Sequence, residues 1–261
     1  MAVQTEINGH VAVVTMERRE ALNAFNTAQL NSLLENLHEV ERQASVRVGI
    51  LTGAGDRSFA AGADIKEMST KSPSEAVTFA KLGHSVANML EQSRIPWIAA
   101  VNGYAFGGGC EMALACDMRF ASDNAVFAQP EVGLGIPPGW GATQRLSRIV
   151  GPGIAAEMIL SGRWIKADEA LSAGLINAVY AHSDLMPNVM ELAATIAGNS
   201  PMAVQAAKRL MRVGRDAPQA VGLEHESQAF ALLFGSADQK EGMSAFLEKR
   251  DAVFSDPSDN S

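Results

Sequence analysis

One stretch restricts the fold of this chain more than any other: Ala99-Ala100-Val101-Asn102-Gly103-Tyr104-Ala105-Phe106-Gly107-Gly108-Gly109-Cys110-Glu111. Ile95 to Val101, led by Pro96, reads as a buried strand, Asn102 to Gly109 as the loop after it, and Met112 to Ala115 as an apolar helix. Glycine lets backbone N–H groups turn toward a ligand and lets that ligand come close. A helix N-terminus at the same place adds positive partial charge. This is the build of an anion hole, with Glu111 in the first helical turn beside it. The same glycines would also serve tight helix–strand packing. A dinucleotide loop fits poorly, because G-x-G-x-x-G is not completed and this is not the first β-α unit of the chain.

Two further segments share the pattern. Ser58-Phe59-Ala60-Ala61-Gly62-Ala63-Asp64-Ile65-Lys66-Glu67-Met68 leaves a strand and enters a helix-like stretch through small residues. By itself it could be any small-residue turn. Beside the glycine run it offers a second backbone donor, and an oxyanion hole usually needs two. Phe127-Ala128-Gln129-Pro130-Glu131-Val132-Gly133-Leu134-Gly135 then places Glu131 among apolar and glycine residues rather than in a polar loop. Burial would raise its pKa and make it a usable proton donor or acceptor near neutral pH.

The remaining segments supply a frame. Val3 to Ile7, the turn Asn8-Gly9 and His10 to Met16 predict a β-hairpin. Thr27 is the expected cap of a helix through Leu30, Leu33, Leu34, Leu37 and Val40, and Val46 to Leu51 is a β-branched strand. Ser74 to Ser93 is a second amphipathic helix, and short strands follow at Asp117 to Phe120 and Val126 to Phe127. From Gly151 onward helical spacing dominates, around 153–161, 167–173, 184–198, 201–213, 218–234 and 237–250, with one strand-like piece at Leu175 to Val179. The expectation is an α/β core over residues 1–195 and a helical region over 196–261, ending in a polar, disordered tail from Ser255.

Composition removes several function classes. A formal charge of −8 over 261 residues argues against a nucleic-acid partner, though a local basic patch could still hold a phosphorylated small molecule. No run of about 18 apolar residues occurs, so no membrane span is expected. The N-terminal residues resemble neither a signal nor a transit peptide, and two cysteines, Cys110 and Cys116, suit a reducing cytoplasm. None of the five histidines lies in the three segments, and G-x-S-x-G, the P-loop and zinc spacings are missing.

Taken together, these motifs resemble the crotonase superfamily, and within it the enoyl-CoA hydratases. The resemblance runs from Glu20-Ala21-Leu22-Asn23-Ala24-Phe25 through the two loops and Gln129-Pro130-Glu131 to Gly141-Ala142-Thr143-Gln144-Arg145-Leu146, and on to Glu241 to Arg250. It implies a β-β-α spiral core with a C-terminal helical trimerisation layer, assembled as a homotrimer or a homohexamer built as a dimer of trimers. It implies an acyl-CoA thioester as partner, with coenzyme A part of the substrate and no separate cofactor or metal. The N–H groups of Ala63 and Gly108 would hold the thioester oxygen, and Glu111 and Glu131 would be the two catalytic acids. CoA would lie near Leu22, Ala24, Ala61, Asp64 and Ile65, with Phe230 and Lys249 supplied by a neighbouring subunit. Met68, Gly139 and Trp140 would line the acyl pocket.

Retention of both glutamates favours hydration of a trans-2-enoyl-CoA. Double-bond isomerisation or another crotonase-type reaction is the alternative, and a CoA-binding or RNA-associated relative of low activity is a third. Two positions depart from the family pattern: Trp140 stands where a small residue is common, and Ala142 where glycine is usual. Trp140 either trims the acyl pocket or packs in the core.

Overall fold

The structure, a computed structural model, describes residues 3–254; the tail expected to be disordered from Ser255 lies outside them. The chain opens with the expected hairpin. Strand β1 (Val3–Asn8) runs antiparallel to β2 (Val11–Met16) with Asn8 opposite Val11. The turn is therefore Gly9-His10 rather than Asn8-Gly9. Asn8 stays in the ladder while Gly9 takes the left-handed conformation, φ +60°.

Three successive units then repeat one pattern, strand–strand–helix. The first strands of the units, β3 (Val48–Gly53), β5 (Trp97–Val101) and β7 (Met118–Ser122), join β1, β2 and the late strand β10 (Ala178–Tyr180) in a six-stranded sheet ordered β1-β2-β3-β5-β7-β10. The second strands, β4 (Ser58–Ala60), β6 (Tyr104–Phe106) and β8 (Val126–Ala128), form a four-stranded sheet with β9 (Trp164–Lys166), ordered β4-β6-β8-β9. Each unit gives one strand to each sheet, and this is the β-β-α spiral. Tyr104–Phe106, inside the expected loop, is a strand, and β9 has no counterpart among the expected strands. Strands of three residues are too short for alternation to show.

Both faces of the large sheet are covered, as mostly parallel sheets require. On one face Val14, Met16, Leu51, Ala99 and Val101 pack against α1 (Thr27–Arg42), α3 (Pro73–Gln92) and α4 (Gly108–Ala115). On the other, Val11, Val48, Ile50, Ile98 and Ala100 meet Leu185, Val189 and Ala193 of α8 (His182–Ala197). Helix α1 is capped by Asn26, whose Oδ1 accepts from the Gln29 N–H at 2.8 Å. Thr27, the expected cap, is the first helical residue, and its hydroxyl donates to Glu67 instead.

The last third is helical, as anticipated: α9 (Pro201–Arg215), α10 (Gln219–Leu233) and α11 (Ala237–Glu248). Buried Lys208 fastens α9 to the core, with its Nζ 2.9 Å from the Asp117 carboxylate and donating to the Ile95 carbonyl at 2.8 Å. Helix α10 buries none of its residues. Among the described residues no helix is long and apolar enough to cross a membrane.

Candidate active site

Helix α4 is buried along its whole length, which suits its apolar sequence. At its C-terminal end the guanidinium of buried Arg119 donates to the carbonyls of Cys116 at 2.8 Å and Leu175 at 2.8 Å. A cation there complements the helix dipole. At the N-terminal end the chain turns sharply at Gly107, φ +47° and ψ −121°, and the Gly107 N–H donates to the Ala128 carbonyl at 2.9 Å. The helix therefore starts at Gly108, four residues before the expected Met112. Gly108 is its first residue, where the N–H has no intrahelical partner.

The loop after β4 lies against this turn. A Cβ at Gly109 would stand 1.9 Å from the Ala60 carbonyl oxygen, so only glycine lets the two backbones meet. Gly62, at φ +99°, turns the loop so that Phe25 donates to the Gly62 carbonyl and Asp64 to the Phe25 carbonyl, both at 2.8 Å. Ala63 lies between these two bonds. Neither the Ala63 N–H nor the Gly108 N–H donates to any group among the described residues. Both residues line one cavity of about 390 Å³.

Glu111 and Glu131 line the same cavity. Glu111 is 2% exposed, and its Oε1 accepts from the backbone N–H groups of Trp140 at 2.7 Å and Ala142 at 2.9 Å. Ala142 opens α5 (Ala142–Val150), whose N-terminus has no side-chain cap of its own, so a carboxylate from another helix does the capping. Burial pushes the Glu111 pKa up, while those N–H groups and the nearby Arg145 charge oppose the rise.

Glu131 sits in a 3-10 turn, Pro130–Leu134. Its carboxylate lies directly over Gly107, where a Cβ would come within 2.6 Å of Oε1. Burial and, to a smaller extent, the charge of Glu111 raise its pKa to about 7, against the pull of its own backbone N–H. With its amide nitrogen turned toward Glu131, buried Gln129 donates to both carboxylate oxygens at 3.2 Å.

Of the other expected site residues, Ala61, Ile65, Met68, Gly139 and Trp140 line the cavity. Trp140 both packs in the core and forms cavity wall. It is 3% exposed and meets Phe25 and Phe79 edge-on, with ring centroids 5.8 and 5.4 Å apart. Its indole fills the space left by two glycines: a Cβ at Gly83 would be 2.3 Å away, and one at Gly108 only 2.1 Å. Leu22, Ala24 and Asp64 are not among the lining residues. Asp64 instead caps the short helix α2 (Ile65–Met68), accepting from the N–H groups of Lys66 and Glu67, and pairs with Arg18 at 2.6 Å. Leu22 borders a separate shallow pocket of about 110 Å³ with Arg19 and Arg57. Phe230 is exposed on α10 and Lys249 follows α11, and neither lines this cavity.

The sequence reading missed three contributors. Lys71 is the only cation among the described residues that line the cavity, and it is paired to Glu67 at 2.7 Å and lies 4.8 Å from the Phe79 ring centroid. Its place four residues after Glu67 was the available signal. Gln129 and the Trp140 and Ala142 N–H groups act through tertiary contacts that no local pattern announces. No cluster of three or more His, Cys, Asp or Glu residues suited to a metal occurs among the described residues.

A family model described as enoyl-CoA hydratase/isomerase matches residues 6–257. The chain is 49% identical over 245 residues to a short-chain-enoyl-CoA hydratase of Clostridium acetobutylicum, covering 94% of each chain. It is 45% identical over 244 residues to a crotonyl-CoA hydratase of Syntrophomonas wolfei, again with 94% of each covered. The crystal structure of an enoyl-CoA hydratase from Bacillus anthracis superposes with a TM-score of 0.95 at 37% identity, over 97% of this chain and 99% of that one. With both glutamates and the two unpartnered N–H groups on one cavity, and with these likenesses along almost its whole length, the chain belongs to the enoyl-CoA hydratase/isomerase family.

Proposed function

We propose that this protein adds water across the C2–C3 double bond of a trans-2-enoyl-CoA, giving a 3-hydroxyacyl-CoA. The observation that carries the reading is the meeting, in one cavity, of two backbone N–H groups without partners and two carboxyl groups in unlike surroundings. The names of the relatives from Clostridium and Syntrophomonas support it.

In this reading the thioester oxygen sits between the Ala63 and Gly108 N–H groups. Glu111, made more basic by burial and aimed by two N–H donors, takes a proton from water as the water oxygen bonds to C3. Electrons move from the double bond onto the thioester oxygen, where the hole and the α4 N-terminus stabilise the enolate. Glu131, held protonated near neutral pH, delivers its proton to C2. The carboxyls have then exchanged protonation states, and proton transfer through solvent resets them. Adding water changes no net oxidation state, so the reaction calls for no redox cofactor, and coenzyme A enters only as part of the substrate.

The exposed apolar residues of α10 and α11, including Phe230, Leu232, Phe246 and Leu247, support a trimeric or hexameric assembly. In such an assembly Phe230 and Lys249 of one subunit would serve the nucleotide end of CoA bound to the next. Both cysteines are free and buried, which suits a reducing cytoplasm.

The test is direct. Purified protein mixed with crotonyl-CoA should bleach the ultraviolet absorbance of the conjugated thioester and form 3-hydroxybutyryl-CoA. Movement of the double bond without uptake of water would favour isomerisation and end the hydratase reading.

A further inference from the structure

The grip on Glu111 is itself held from behind. Trp140 supplies one of the two N–H groups, and its carbonyl accepts from Arg145 Nη1 at 3.0 Å. Arg145 is 8% exposed, a costly place for a guanidinium unless it is fully partnered. Its Nη2 donates to the Glu91 carboxylate at 2.7 Å and to Asn88 Oδ1 at 2.9 Å, and its Nε reaches Glu91 at 3.2 Å. Asn88 and Glu91 belong to α3, the helix whose Gly83 makes room for the Trp140 ring. Gly141, φ +118°, lies so close that a Cβ there would stand 2.2 Å from Arg145 Nη1. The turn that presents both N–H groups is thus fastened at one point to α3.

We propose that Arg145 is a positioning residue for the reaction. By tying the Trp140 carbonyl to Glu91 it sets the two backbone N–H groups that orient Glu111, and without that tie the carboxylate loses its aim. Arg145 touches neither substrate nor reacting atoms. Glu91 also accepts from Arg215 of α9, so the same clamp joins the C-terminal helices to the catalytic turn. The inference rests on the hydratase reading above.

Three variants test it, each checked for folding and for CoA binding. Arg145→Gln should lower kcat for crotonyl-CoA by about 10²-fold, the cost of a misplaced catalytic group, with a much smaller change in KM. The titratable and charged groups around this site are Arg145 from α5, Glu131 from its 3-10 turn, Lys71 on the same cavity, Glu91 and His84 from α3, and Arg215 from α9. Removing the Arg145 cation makes Glu111 harder to ionise, so the acid limb of kcat/KM should move to higher pH. Arg145→Lys keeps the charge and loses the planar fork, so kcat should fall with the limb unmoved.

Should Arg145→Gln fail to fold, Glu91→Gln carries the test: it removes the ion pair that fastens Arg145 to α3 and should lower kcat while moving the limb to lower pH. A folded Arg145→Gln or Glu91→Gln protein with unchanged kcat and an unshifted limb overturns the proposal. Absence of hydration by the unmodified protein would instead overturn the reading on which it rests, so the two failures are distinguishable.

Discussion

Glu111 and Glu131 are the same residue type in different surroundings. Burial raises the pKa of both carboxyls; at Glu111 two N–H groups and the Arg145 charge pull back toward the anion, whereas at Glu131 the neighbouring negative charge adds to the rise, to about 7. Replacing Glu131 by Gln should lower kcat by about 10²–10⁴-fold with CoA binding intact, measured by steady-state kinetics and calorimetry. The same shift makes a stability prediction. Between the ordinary value of 4.5 and about 7, the folded protein holds a proton on Glu131 that the unfolded chain has released. Glu131 therefore contributes stability below pH 4.5 that is lost as pH rises through about 7. Urea unfolding of Glu131→Gln should show a smaller decline from pH 5 to pH 8 than the unmodified protein. Trp140 is part of the cavity wall, where in the hydratase reading it would limit the reach of an acyl chain. Its replacement by Ala should cost about 3–5 kcal/mol of stability and raise kcat/KM for longer enoyl-CoA substrates relative to crotonyl-CoA.

Helices and strands bring these side chains together through close backbone approach. The two loops of the hole meet where Gly109 faces the Ala60 carbonyl, so Gly109→Ala should push the Ala63 and Gly108 N–H groups apart. The expected loss in kcat is about 10²–10³-fold, the cost of one oxyanion donor, with the protein still folded by circular dichroism. The glycine run, the small-residue loop and Glu131 were legible because each advertises its chemistry within a few residues. Other features were hidden for physical reasons. β4, β6 and β9 are three residues long, too short to show a period of two. The cap of α1 moved from Thr27 to Asn26 because either residue type can cap, and the choice was made by Glu67 taking the Thr27 hydroxyl. The Trp140 and Ala142 N–H groups hold a carboxylate about thirty positions earlier in the chain, a pairing that exists only once α4 and α5 are packed. Asp64 looked like a ligand contact beside Ala63, yet as the cap of α2 its carboxylate is already engaged.

At the scale of the whole molecule, the six-stranded sheet is covered on both faces, but α10 buries nothing within the chain. Phe230 is 66% exposed, and Leu232 and Phe246 are each 83% exposed, a load of apolar surface that a solitary subunit rarely carries. Sedimentation equilibrium should show three or six chains per particle; a monomer at micromolar concentration would remove the shared-site proposal. If a neighbour's Lys249 serves the CoA phosphates, Lys249→Ala should raise KM for crotonyl-CoA and leave kcat nearly unchanged. All of this serves one claim, that the hole and the two carboxyl groups together hydrate an enoyl thioester. The most direct measurement is the turnover of crotonyl-CoA by the double variant Glu111→Gln, Glu131→Gln, purified, folded and still binding CoA. Hydration should fall to the edge of detection; turnover at the level of the unmodified protein would contradict a reaction carried by these two carboxyl groups.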